Sequence, residues 1–180
     1  MKSEYIISTI ILLINIVIII LITILNSDIS NYGVFLYLPG LFFINASLYL
    51  NNIHGIIVSI FTGLFIDVIL TTPFGFHAIL LSFCFLLGKN WMLQNLNTKP
   101  WRCIIFQLSI NIMFNFILLV TFKFRHELSI DWSISRFITD LIISSLIFIP
   151  IAFWKTEINT VIIDYISTKI IKTEQINEIK

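Results

Sequence analysis

The fold is decided by residues 55–78, GIIVSIFTGLFIDVILTTPFGFHA. Within this stretch Gly55, Ser59, Gly63 and Asp67 recur at every fourth position, so on a helix they form one stripe along a single face. The first three residues are small enough to let the backbone of a second helix approach closely, as in packed membrane helices. The stripe therefore predicts a tightly packed pair of transmembrane helices.

The fourth member of the stripe, Asp67, is a carboxylate inside an otherwise apolar run. Such a group is costly in hydrocarbon and usually faces a bundle interior or a partner. Thr72 can cap the next helix and Pro73 suits its first position. Two interpretations of Asp67 remain open. Either loop amides or His77 satisfy it structurally, or it fixes a surface on which a partner protein docks. We expect His77 to be a hydrogen-bond partner rather than a metal ligand.

The order and spacing of six residues in this region resemble the central signature of the MreD family of bacterial rod shape-determining membrane proteins. These residues are Gly63, Leu64, Asp67, Pro73, Gly75 and Ala78. The resemblance covers roughly residues 36–90 and otherwise extends only to length and hydropathy. It implies a non-catalytic membrane scaffold of the cell-elongation machinery that binds an MreC-type protein, beside MreB and the peptidoglycan synthases. The candidate structural and partner-docking residues are Gly55, Ser59, Gly63, Asp67, Pro73, Gly75, His77 and Asp140.

Composition agrees with a membrane protein of one domain. Of 180 residues 58% are hydrophobic and 12% charged, which lies outside the norm for soluble domains. The net charge of +1 and the absence of a basic run give no indication of a nucleic-acid partner. Two cysteines provide neither a disulfide framework nor zinc-ligand spacing. We expect no cofactor and no metal.

The apolar runs predict an all-α bundle of six transmembrane helices. Their expected ranges are about 5–25, 34–50, 53–70, 74–93, 103–122 and 135–154. Pro39 and Gly40 are expected to kink the second helix. Residues 155–180 repeat apolar residues at helical spacing and carry charges on the other side, which predicts a cytoplasmic amphipathic helix.

Lysine and arginine counts predict the orientation of the bundle. If the N-terminus is cytoplasmic, the inner side holds Lys2, Lys89, Lys99, Arg102, Lys155, Lys169, Lys172 and Lys180. The outer side then holds Lys123, Arg125 and Arg136. This excess of eight over three favours a multi-pass protein with both termini in the cytoplasm. The resemblance to the MreD family implies that the membrane is the bacterial inner membrane.

That topology places Asp67, His77 and Asp140 at a similar depth near the outer side. The fifth helix adds a polar stripe, which consists of Gln107, Asn111 and Asn115. Amides at this spacing either hydrogen-bond between helices or line a polar cavity for a ligand. The outer polar zone of Asp67, His77, Asn115 and Asp140 supports an alternative function, the substrate-binding subunit of an energy-coupling-factor vitamin transporter. The first helix lacks the alanines of that family, which counts against it. A third hypothesis, a membrane enzyme acting on lipid, has no catalytic signature to support it.

Overall fold

The computed structural model describes residues 2–94, 100–125 and 134–178, and within them all regular secondary structure is helical. The helices are α1 (Lys2–Ile29), α2 (Ile44–Tyr49), α3 (Asn52–Leu70), α4 (Phe76–Gln94), α5 (Pro100–Arg125) and α6 (Ile134–Glu178). All except α2 are long and apolar enough to cross a membrane. The prediction of an all-α membrane protein is therefore confirmed. The predicted loops around residues 95–99 and 126–133 lie outside the described residues.

The long helices alternate in direction. We call the end of the bundle where α1 begins the near end, and the end where α1 finishes the far end. At the near end, the Asn51 side-chain amide donates to Oε2 of Glu4 at 3.1 Å, so α3 begins beside the start of α1. At the far end, Asp140 in the second turn of α6 accepts from the backbone N–H of Phe35 at 3.0 Å. Helices α1, α3 and α5 run towards the far end, and α4 and α6 run back.

The predicted second helix, residues 34–50, is wrong. We call residues 34–51 the inner segment. It has no helix before a 3₁₀ turn at Pro39–Leu41, and only the six residues Ile44–Tyr49 are α-helical. Proline lacks an N–H and disfavours helical geometry in the residue before it, and Leu38 has φ −126° and ψ 39°. Residues 36–47 are all buried, so the inner segment runs through the centre of the bundle.

The inner segment runs antiparallel to α1 over nearly its full length. Its start is bonded to Asn26 through Leu36, and its end to Glu4 through Asn51. From Glu4 to Asn26 α1 rises by about 33 Å. From Leu36 to Asn51 the segment covers this distance at about 2.2 Å per residue, between the values for a helix and a strand. A continuous helix between the same two residues rises by only about 22 Å. The partly extended segment therefore spans the length of α1 from Asn26 to Glu4, which a continuous helix of the same residues would not.

The sixth helix is longer than predicted. It continues without a break past Trp154 to Glu178 and contains Pro150 within it. Lys155, Asn159 and Ile163 are buried, so α6 remains packed in the bundle from Trp154 as far as Ile163. The predicted boundary between residues 154 and 155 is therefore wrong. The final residues of the predicted tail, 179–180, lie outside the described residues.

Two apolar clusters fill the bundle. The larger one surrounds the inner segment and includes Leu41, Phe114 and Phe148, whose side chains are fully buried. The smaller one lies towards the near end and includes Phe85 of α4 and Ile163 of α6. Aromatic side chains of this size contribute much of the packing energy of a helical core. The inner segment is thus enclosed by side chains from the long helices.

The small residues of α3 face α4. A Cβ atom added at Gly63 would lie 2.4 Å from the backbone N and Cα of Ala78. A Cβ atom at Gly55 would lie 2.1 Å from the ring of Phe85. Ser59, between the two glycines, is only 1% exposed. The two helices therefore pack backbone against backbone near the far end, and this contact positions the turn between them.

Candidate functional site

The turn between α3 and α4 is organised by the carboxylate of Asp67. Its Oδ1 accepts from the Thr72 hydroxyl at 2.7 Å and from the His77 backbone N–H at 3.0 Å. Its Oδ2 accepts from the backbone N–H of Gly75 at 2.9 Å. Thr71 and Gly75 reverse the chain with φ angles of 51° and 89°. Since α4 begins at Phe76, Thr72 does not cap it, in contrast to the sequence prediction; it braces Asp67 instead.

His77 links this turn to the inner segment. Its Nδ1 lies 2.6 Å from Oδ1 of Asp67, and its Nε2 lies 2.6 Å from the hydroxyl of Tyr37. A carboxylate can only accept here, so Nδ1 donates and, in a neutral ring, Nε2 accepts from the tyrosine hydroxyl. The ring of Phe114 lies parallel to the imidazole, with a centroid distance of 6.4 Å. The three polar side chains thus form one buried chain of hydrogen bonds.

A hydroxyl, an imidazole and a carboxylate in series also occur where a base activates a nucleophile. Here the Tyr37 side chain is only 3% exposed and His77 is fully buried. Within the described residues, no group of three His, Cys, Asp or Glu side chains is placed to hold a metal ion. The arrangement is suited to holding two chain segments together.

Side chains of α1 and α6 hold the start of the inner segment. Asn26 binds both backbone groups of Leu36: its Oδ1 accepts at 2.7 Å and its Nδ2 donates at 2.9 Å. Asp140 accepts from the N–H of Phe35. Asp140 therefore does not join Asp67 and His77 in one cluster, although all three lie towards the far end. Its role is to satisfy a backbone group that has no helical partner.

Asn111 of α5 holds the middle of the segment. Its Oδ1 accepts from Gly40 N–H at 3.0 Å and its Nδ2 donates to the Tyr37 carbonyl at 3.2 Å. The Ser144 hydroxyl accepts from Tyr37 N–H at 3.2 Å. A Cβ atom at Gly40 would lie 2.7 Å from Cβ of Asn111 and 2.8 Å from the Gln107 carbonyl oxygen. Glycine therefore allows the segment to lie directly against α5.

The other members of the predicted polar stripe behave differently. Asn115 donates to the backbone carbonyl of Asn111 within its own helix, at 2.9 Å. Gln107 is 1% exposed, and its Nε2 has no hydrogen bond within the described part of the chain. Of the three amides only Asn111 connects two elements, and it binds backbone groups. Side-chain hydrogen bonds from the stripe to the inner segment therefore come from Asn111.

The end of the 3₁₀ turn is held by a buried lysine. Lys155 of α6 is 2% exposed, donates to the carbonyl of Leu41, and lies 4.6 Å from the ring centroid of Phe42. Asn15 of α1 donates to the Phe42 carbonyl at 3.4 Å and to the Thr62 hydroxyl at 3.2 Å. The count of lysines and arginines assigns Lys155 to the charges of the inner side, but the helix carries this side chain into the core.

These contacts have a common physical cause. Non-helical backbone at membrane depth is tolerated only where protein groups or a water-filled cavity satisfy it. A buried backbone group left without a partner costs about 1–3 kcal/mol. Asn15, Asn26 and Tyr37, which take part in these bonds, were not predicted from the sequence, and Lys155 was expected on the inner side. Two signals were present: isolated polar residues in apolar runs, and Pro39-Gly40 within the second run.

The fold and these networks define an all-α, multi-pass membrane protein whose buried polar side chains support a non-helical segment. Comparisons with protein-family models, with curated proteins and with solved structures found no match.

Proposed function

We propose that this chain is a non-catalytic membrane scaffold of the MreD type that binds an MreC-type protein. The observation that carries the proposal is the use of its buried polar groups. Asp67, His77, Asn111 and Asp140 all bind the protein's own backbone or one another. Such contacts fix the shape of a bundle, and a fixed shape is what a scaffold offers to its partners.

Five of the six residues that carry the family resemblance, all except Leu64, lie in or beside the turn between α3 and α4. Gly63 permits the close approach of Ala78, Asp67 binds the backbone of Gly75 and His77, and Pro73 lies in the same turn. These residues together maintain the geometry of the α3–α4 turn at the far end. This supports placing the partner contact there.

We further propose that the protein lies in the bacterial inner membrane with its near end in the cytoplasm. Buried Lys155 no longer counts as an interfacial charge, but the remaining lysines and arginines still favour the same orientation. The inner segment then serves as the second crossing, since it returns the chain from the far end to the near end. Both termini are consequently cytoplasmic and the α3–α4 turn faces outwards.

The surface of that turn carries a large exposed aromatic side chain. Phe74 is 81% exposed and lies between Thr72 and Gly75, both of which hydrogen-bond to the carboxylate of Asp67. Binding energy in protein interfaces is concentrated in a few such side chains. We place the MreC-type contact on Phe74, with Asp67 acting through the shape of the turn.

Co-purification of the partner from bacterial membranes tests the proposal. We expect Asp67→Leu to weaken capture about ten- to a hundredfold, because it leaves at least one buried donor unsatisfied at about 1–3 kcal/mol. Asp67→Asn retains one acceptor oxygen and much of the binding. Phe74→Ser should weaken capture without loss of thermal stability, whereas Tyr32→Ser, on another exposed ring at the far end, should not. Wild-type capture by both Asp67→Leu and Phe74→Ser at equal membrane abundance would overturn the proposal.

The vitamin-transporter alternative requires polar side chains that face a ligand. Asn111, Asp140 and Ser144 instead bind the backbone of the inner segment, which favours the scaffold. A vitamin-like ligand retained by the purified protein and lost in Asn111→Leu would favour the alternative.

A further inference from the structure

A groove of about 390 Å³ lies at the near end between α1 and α3. Its volume falls in the range of small-molecule sites. Leu12, Ile57 and Phe61 form its apolar wall, and Asn51 and His54 lie at its polar end. Ile57 and Phe61 are 44% and 56% exposed, so the groove opens to the outside of the bundle. It is separate from the polar networks at the far end.

The polar end of the groove carries a carboxylate. Oε2 of Glu4 accepts from the Asn51 side chain at 3.1 Å and lies 3.9 Å from Nε2 of His54. The ring of Tyr5 meets the imidazole edge-on at a centroid distance of 4.6 Å, which fixes its position. The Glu4 side chain is 43% exposed. Within the described residues both of its polar contacts use Oε2.

The groove changes from polar to apolar along the helix axis. Asn51 caps α3, and Phe61 lies about 15 Å further along the same helix. An acyl chain with a headgroup at one end has this distribution of polarity.

We propose that this groove binds one membrane phospholipid with an ethanolamine headgroup. One acyl chain lies along Leu12, Ile57 and Phe61, and the headgroup ammonium contacts the carboxylate of Glu4. The lipid phosphate lies towards the donors on Asn51 and His54. An anionic headgroup without an ammonium places negative charge beside Glu4 and binds less well.

Native mass spectrometry of the full chain in detergent tests the headgroup. Phosphatidylethanolamine and phosphatidylglycerol with identical acyl chains are titrated separately. We expect the ethanolamine lipid to bind about tenfold more tightly, as one charge-assisted contact predicts. Glu4→Gln should bring the two affinities together. Glu157→Gln, an exposed carboxylate of α6, should leave the preference unchanged. Equal binding of both lipids to the wild-type chain would overturn the headgroup assignment and with it the proposal.

Filling the groove tests the acyl-chain site. Ile57→Phe adds volume to the lining and should reduce the affinity for both lipids several-fold. Ile60→Phe is the matched control: Ile60 is on the same helix and 37% exposed but does not line the groove. Equal lipid binding by the two variants would show that lipids only coat the surface, and would overturn the site. The proposal would also be overturned if the wild-type chain retained neither lipid and bound a second copy of the chain instead.

Discussion

Gly63→Ala is the sharpest test of how α3 and α4 are held together. The added methyl group would lie 2.4 Å from the backbone N and Cα of Ala78 and 2.5 Å from the carbonyl carbon of His77. Carbon atoms in good contact lie about 3.5–4.0 Å apart, so the helices must separate by about 1 Å. The contacted atoms belong to the backbone and cannot rotate away.

The loss of folding stability caused by Gly63→Ala can be estimated from this geometry. Overpacking typically costs about 1–3 kcal/mol, and contact with rigid backbone places Gly63→Ala near the upper limit. Separation of the helices also lengthens the hydrogen bonds from Gly75 and His77 to Asp67, now 2.9 and 3.0 Å. For a chain of 180 residues, about 3 kcal/mol corresponds to a fall of about 6–12 °C in Tm.

Thermal unfolding in detergent, followed by circular dichroism, measures this change. Gly88→Ala is the matched control, because its added methyl group would meet side chains and not backbone: it would lie 2.8 Å from the hydroxyl oxygen of Ser47 and 3.0 Å from the ring of Phe43. We expect a clearly smaller fall in Tm for the control. A Gly63→Ala protein within about 2 °C of wild type would refute backbone-to-backbone packing of α3 on α4.

Two further predictions concern the inner segment and the orientation. Asn111→Leu leaves two buried backbone groups unpaired and should destabilise the protein by about 2–6 kcal/mol. Asn115→Leu loses only a hydrogen bond within its own helix and should destabilise the protein less. An equal fall in Tm for the two variants would contradict this prediction. In a cysteine-free background, an impermeant maleimide applied from outside should label a cysteine at position 129, outside the described residues, and spare one at 167. Labelling at 167 alone would reverse the orientation.

The sequence was most informative around the α3–α4 turn. Four-residue spacing of Gly55, Ser59 and Gly63 depends only on helical geometry, which neighbouring elements do not change. Asp67 and His77 are ten residues apart across one turn, so their contact is nearly local. Expected helix limits there differ from the observed ones by only a few residues.

The inner segment was not predictable in the same way. Hydropathy records that residues 34–50 are apolar, and a buried extended chain is as apolar as a helix. A buried extended segment differs from a helix in the groups that bind its backbone. Here those groups lie far away in the sequence: Asp140 binds the N–H of Phe35, and Lys155 binds the carbonyl of Leu41. For the same reason, the end of α6 was predicted too early, because the sequence does not show that Lys155 has a buried partner in the carbonyl of Leu41.

Carbon chemical shifts of residues 34–49, measured by solid-state NMR in lipid bilayers, test most directly whether buried side chains support a non-helical segment. We expect non-helical shifts for residues 34–38 and helical shifts for Ile44–Tyr49. In Asn111→Leu, the amide signal of Gly40 should move, because it loses its acceptor. Continuous helical shifts across residues 34–49, with the Gly40 amide unaffected by Asn111→Leu, would contradict the account.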